Sequence, residues 1–259
     1  MEYELKIADT YVTSENCNNI SNFEGVSGRV SYDPSSQTLT LDNATITATT
    51  DYTASIRICG ANRLTIKLIG NNTLTAYKSY GLSLDSSNVT IMGVTPDATL
   101  TVESLDTEFG LDAAIALHSY AHSTITVKNC SIMASGTEDG LCQGSWHFIN
   151  CTVRAKGGGR SRYEGSCCWL DKVPSFKDCT PPAGAYWKEF QYENKTRYSL
   201  FGADDKVITD WVTVAEATGD TSEADNTLSR HEDINEGLRG IEHNANDLLN
   251  SNMYDDDYR

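Results

Sequence analysis

Six copies of one short pattern recur along this chain, and the recurrence restricts its fold more than any other property. The copies are DNATITA at 42–48, GNNTLTA at 70–76, PDATLTV at 96–102, KNCSIMA at 128–134, INCTVRA at 149–155 and KDCTPPA at 177–183. One column of the pattern holds Asn43, Asn71, Asp97, Asn129, Asn150 and Asp178. Two residues on, a second holds Thr45, Thr73, Thr99, Ser131, Thr152 and Thr180. Successive copies lie 28, 26, 32, 21 and 28 residues apart. That is the length of a small supersecondary unit unable to bury an apolar face alone, so such units stack on one another.

The apolar pattern between the copies says what the units are made of. A short run precedes most copies, marked by Leu39 and Leu41, Leu64 and Ile66, Val89 and Ile91, Ile125 and Val127, and Trp146 and Phe148. Another lies further upstream, at Ile56 and Ile58, Leu82 and Leu84, Ile115 and Leu117, and Leu141. Every run alternates with period two and is too short for a helix, so each unit reads as three strands separated by Asn, Asp, Gly and Ser corners. The expectation is an all-β chain, a right-handed parallel β-helix of about six to seven coils, with rungs about 4.8 Å apart.

Alternation also assigns faces. Ala44, Ile46 and Ala48 point inward, and Thr45 and Thr47 outward. Cys130, Cys151 and Cys179 then join Ala44 and Ala98 in an inward column of small residues. They read as thiols packed as small hydrophobes, although neighbouring rungs are also close enough for a disulfide.

A stack of strands needs covered ends. The reading divides the chain into N-terminal cap strands over 1–36, a parallel β-helix over 37–185, a C-terminal cap over 186–215 and an acidic tail over 216–259. In the first cap Tyr3, Leu5 and Ile7 alternate, and the turn Asp33 to Ser36 follows Val30 and Tyr32. In the second, Tyr186, Trp187, Phe190, Tyr192, Tyr198 and Phe201 can cover the last coil, followed by a strand over 207–214.

The segments YELKIADTYVTSENCNNIS, GVSGRVSYDPSSQTLTLDNATI and LTIKLIGNNTLTA resemble a β-helical module of secreted and surface proteins of gut-type anaerobic bacteria, often labelled carbohydrate-binding. The resemblance covers residues 3 to about 214. It implies glycan recognition and an extracellular or cell-surface location, and it transfers no site residues.

In the tail, Ile234, Leu238, Ile241, Ala245 and Leu248 recur at helical spacing, which gives a candidate helix over 228–250. Gly237 and Gly240 weaken it, leaving docking, self-association or disorder as its roles. The net charge is −16, of which the tail's twelve acidic and three basic residues supply −9. No basic footprint for nucleic acid exists, and no apolar run approaches a membrane span. No charged-then-apolar leader opens the chain, which leaves a removed leader or synthesis without one. Eight cysteines occur without paired CxxC motifs, and no metal site is expected from them.

Four residue groups stand out. Arg154, Lys156, Arg160 and Arg162 surround a Gly-rich stretch and suit the carboxylate or sulfate of an acidic sugar. The outward Thr pairs at 45 and 47, 73 and 75, and 99 and 101 suggest a flat array, interrupted at Met133 and Arg154. Asp106, Glu108 and Asp112 are candidate calcium ligands, and otherwise loop polarity. His118 and His122 flank Tyr120 without a third metal ligand. Asn-x-Ser/Thr motifs at Asn19, Asn43, Asn71, Asn88, Asn129, Asn150 and Asn194 follow in several cases from the repeat corner itself.

The expected function is a non-catalytic module for glycan recognition, adhesion or surface structure in a bacterium, with no cofactor required. A polysaccharide lyase or glycoside hydrolase on the same scaffold, and a phage or secretion-apparatus component, are the alternatives.

Overall fold

The computed structural model describes residues 1–217 except 61–62, 86–87, 96, 106–114, 120–122 and 160. The candidate helix over 228–250 therefore lies outside the described residues. The unit Met1–Glu216 is all-β, with strands in large, mostly parallel sheets and a single 3-10 turn at Ile20–Asn22 among the described residues.

The strands fall into three arrays. The first stacks Ile56–Cys59, Tyr80–Asp85, Ile115–Ser119, Asp139–Cys142 and Cys167–Cys168 in parallel. The second begins with the front half of Thr38–Thr47 and continues through Leu64–Ile69, Asn88–Gly93, Thr124–Lys128, Ser145–Ile149 and Ser175–Lys177. The third takes the back half of Thr38–Thr47, then Asn71–Tyr77, Thr99–Leu105, Ser131–Gly136 and Thr152–Gly157. After Thr38–Thr47 the chain visits the first, second and third arrays in that order, again and again. Thr38–Thr47 serves two arrays because it turns at Asn43, whose φ of 48° lies in the left-handed region. Asn129, Asn150 and Asp178 have the same sign of φ, which Asn and Asp tolerate better than branched residues.

Inward residues of the three arrays form one core. Leu41, Ile66, Leu68, Leu74, Ile91, Leu117 and Val127 are each 0 % exposed, and Trp146 and Phe148 are nearly so. Burying each large side chain stabilises by about 1.5–3 kcal/mol before entropy is counted. Ala44, Ala98, Cys130 and Cys151 are buried as the alternation requires, while Cys179 is half-buried at the end of the stack. None of the eight cysteines, all of them described, is in a disulfide. Cys151 and Cys179 approach to 3.8 Å between sulfurs, which is contact without a bond.

The register differs from the aligned copies at one place. Thr45 pairs with Thr73 and Thr99 with Ser131, as the alignment implies, but Thr101 pairs with Thr73 instead of Thr99. The ladder slips by two residues between the second and third copies. A slip of two keeps every apolar residue inward, since side chains alternate with period two, so hydrophobic patterning cannot reveal it. The left-handed corner of the second copy is Gly70 rather than Asn71, and a Cβ there would meet the Asn43 carboxamide oxygen at 2.3 Å. This places Asn72 inward, 1 % exposed, where its Oδ1 accepts the Ala44 N–H at 3.0 Å and its Nδ2 donates to the Thr99 carbonyl at 3.2 Å. The side chain of Asn72 thus replaces backbone partners across the slip. The expected Thr array is broken as a result, because Glu103 lies beside Thr75.

Antiparallel strands lie at both ends of the stack. Glu2–Ile7 lies antiparallel on Ile56–Cys59, and Val26–Asp33 antiparallel on Thr38–Thr47, which closes the leading edges. At the other end the strand expected over 207–214 is Val212–Glu216. It runs antiparallel between Thr152–Gly157 and the two-residue strand Cys179–Thr180. The sixth copy therefore adds no full rung to the third array. Pro181 and Pro182 follow Thr180, and with no N–H they cannot continue a ladder. The aromatic segment forms the hairpin Ala185–Tyr192 and Lys195–Gly202.

Candidate functional site

The outward side of the second array is half-exposed along most of its length. Its inward residues, from Leu39 to Phe148, are buried, so the alternate residues face away from the core. Register places Thr38, Thr65, Thr90, Thr126, His147 and Ser175 in one outward column. The adjacent column reads Thr40, Lys67, Met92, Lys128, Ile149 and Lys177. Lysines thus recur on every second rung, about 9–10 Å apart. None of the three is in an ion pair with a described residue. Among the outward residues of these strands the one carboxylate is Asp42, at the leading end, and it pairs with Arg29 at 3.4 Å. A basic ladder therefore runs along one face of an acidic protein.

The cations singled out in the sequence lie elsewhere. Arg154 and Lys156 project from Thr152–Gly157 in the third array. The Arg154 guanidinium sits 4.8 Å from the Trp211 ring centroid, and Lys156 Nζ lies 3.6 Å from Asp210. Both are engaged by the segment leading into Val212–Glu216. Arg162 lies 4.9 Å from the Tyr163 ring centroid, and Arg160 is outside the described residues. A cleft lined by Tyr3, Glu4, Lys6, Tyr11 and Arg57 lies by the N-terminal strand, away from this loop. Asp106, Glu108 and Asp112, the candidate calcium ligands, and Tyr120 and His122 beside His118 all fall outside the described residues.

The comparisons leave the site to stand on its own geometry. No family model, curated protein or solved structure matches the chain.

A second arrangement lies on the first array and was not legible in the repeat. Residues facing away from the core are normally accessible, yet Ser83, His118, Cys142 and Cys168, in register on successive rungs, are all at most 4 % exposed. His118 stacks on Tyr80 with ring centroids 4.3 Å apart, and burial holds its pKa down at about 4. Beside Cys142, on the same strand, Asp139 is 3 % exposed. Its Oδ1 accepts the Gly165 N–H at 2.8 Å, while burial pushes its carboxyl up to about 7. Burial likewise pushes the Cys167 thiol up to about 12 and that of Cys168 well above the ordinary thiol range. The carboxylate of Asp139 and the sulfurs of Cys142 and Cys168 all lie within 4.8 Å of one another.

The C-terminal hairpin lies over this end of the array. Leu170 and Tyr198 exchange backbone hydrogen bonds of 2.8 and 2.9 Å, and Ser199 Oγ accepts the Trp169 N–H at 3.1 Å. Trp169 meets Phe190 and Tyr192 edge to face, and Tyr163 stacks on Phe190 with centroids 3.9 Å apart. Arg197 of the hairpin is buried and ion-paired with Asp171. The clue in the sequence was the adjacent pair Cys167 and Cys168, since alternation must turn one of them away from the core.

Proposed function

We propose that the chain is a right-handed parallel β-helix that binds an extended acidic polysaccharide along its second array, without catalysis, at a bacterial surface. Three arrays visited in one repeating order, joined by parallel pairings throughout the body, support the helical winding, and parallel crossovers are right-handed in nearly all sheets. The observation that carries the binding reading is the column Lys67, Lys128 and Lys177. Three ammonium groups two rungs apart match alternate carboxylates of a polyuronate chain laid along the stack. The neighbouring column of Thr hydroxyls, with His147 and Ser175, offers donors and acceptors to sugar hydroxyls. The rungs are fixed by backbone ladders, so the face is organised before the ligand arrives and loses little entropy on binding.

Affinity electrophoresis of the purified chain in gels containing polymannuronate, polygalacturonate or a neutral β-glucan tests this reading. Retardation by a polyuronate, weakening with added salt and lost in the triple variant K67Q/K128Q/K177Q, is the expected result. Retardation by the neutral glucan alone, or by none of the three, overturns it.

A further inference from the structure

We propose that Asp139, Cys142 and Cys168 form a binding site for one thiophilic divalent metal ion of the zinc type, fastening the last rungs of the first array beneath the C-terminal hairpin. The proposal starts from where these residues are. Cys142 and Cys168 are register partners on neighbouring parallel strands, and both turn away from the main core. Asp139 lies on the Cys142 strand and joins the same side. All three donor atoms fall within 4.8 Å of one another, and all three residues are buried. Donors tetrahedrally arranged at zinc–oxygen and zinc–sulfur bond lengths stand about 3.3–3.8 Å apart, so a contraction of at most about 1.5 Å closes the set around an ion.

The composition of the cluster agrees with its spacing. Packing alone explains two buried thiols, which behave as small apolar groups, but it does not explain a carboxyl beside them. Two sulfurs and one oxygen are the donor set of a borderline-soft cation, and calcium or magnesium would seek oxygens in place of the sulfurs. The neighbouring rung holds His118 as the register partner of Cys142, which puts an imidazole one strand from the cluster; that imidazole or a water molecule would complete the set. Loading releases both thiol protons, and that of the carboxyl where it is protonated, to solvent. It leaves two thiolates and one carboxylate around a dication, a net charge of −1. The site does not involve the lysine ladder, and either proposal can fail without the other.

X-ray absorption at the zinc edge, on the reduced full chain loaded with one equivalent of zinc, reads the site without any mutation. The expected shell has two sulfur scatterers at about 2.3 Å and the remainder nitrogen or oxygen at about 2.0–2.2 Å. In parallel, cobalt titration should saturate at one ion per chain with a thiolate-to-cobalt charge-transfer band. That band should be lost in C142S and in C168S and kept in C151S/C179S. A shell of nitrogen and oxygen alone, no ion retained by the folded reduced chain, or a band that follows Cys151 and Cys179 overturns the proposal. Where a cysteine variant fails to fold, the wild-type shell decides.

Discussion

The faces of the first and second arrays that point away from the core are built from the same kind of strand and end in opposite states. On the second array, Thr65, Lys67, Thr90, Thr126 and Lys128 stand half-exposed in open columns. On the first, Ser83, His118, Cys142 and Cys168 occupy equivalent positions and are buried. Strand chemistry does not cause the difference. Parallel strands buried on both sides are apolar throughout, and the residue strings Ile115–Ser119 and Asp139–Cys142 approach that state, with polar groups where a second layer touches them. Toward its last rungs the first array is covered by a further layer and its polar residues find partners inside, whereas Arg57 on its first rung is exposed and the outward polar residues of the second array stay half-exposed along most of their length. Substitutions on the two faces should therefore report on different properties, stability on one and binding on the other.

The sharpest test removes the charge that the hairpin brings to the covered face. R197M strips Asp171 of its buried partner, and breaking such a pair costs about 3–5 kcal/mol. Urea denaturation should show the loss as a lower midpoint at unchanged slope, and a stability within about 0.5 kcal/mol of wild type would erase the distinction between the faces. The interior calibrates the scale. N72A leaves the Ala44 N–H and Thr99 carbonyl without their side-chain partner and should cost about 1–3 kcal/mol by the same measurement.

On the open face, K67Q/K128Q/K177Q should change stability by no more than about 0.5 kcal/mol while removing polyuronate binding. A large fall in its melting temperature would mean that the lysines serve the fold. The smallest effect belongs to the N-terminal hairpin turn. Asp33 is held down at about 2 by the Ser35 and Ser36 hydroxyls and the Ser35 N–H. A carboxylate with a lowered folded-state pKa lends stability above its ordinary value near 3.8 and loses it as pH falls toward 2. D33N should flatten the acid limb of the melting-temperature profile between pH 4 and 2 and leave the profile near pH 7 little changed; an unaltered acid limb would exclude the turn as a contributor.

How far the molecule could be read in advance depended on how local each determinant was. Alternation within a strand is local, so the inward placement of Ile46, Leu74, Ile91, Ile132 and Cys151 followed from their neighbours alone. The end of the third array was also written locally, in Pro181 and Pro182, although the strand that returns to cover that edge was not. The slip at Asn72 was hidden because a shift of two residues preserves every face. The lysine column was hidden for another reason. Lys67 precedes one copy while Lys128 and Lys177 open two others, and the segments between them are of unequal length, so their alignment depends on cross-strand hydrogen bonding that no single copy specifies.

By itself, then, the amino-acid order determined the period, the strands, the left-handed corners at Asn43, Asn129 and Asn150, and which side chains leave water. Each rests on interactions between residues near in sequence or on apolar content, and both survive without knowledge of the partner strand. Tertiary structure alone decided the register across Gly70 to Asn72, the covering of one outer face by a hairpin some thirty residues downstream of Cys168, and the meeting of one carboxyl with two thiols. Those outcomes depend on which surface a distant segment docks against, and that choice is made by the summed fit of the two surfaces rather than by any short stretch of chain.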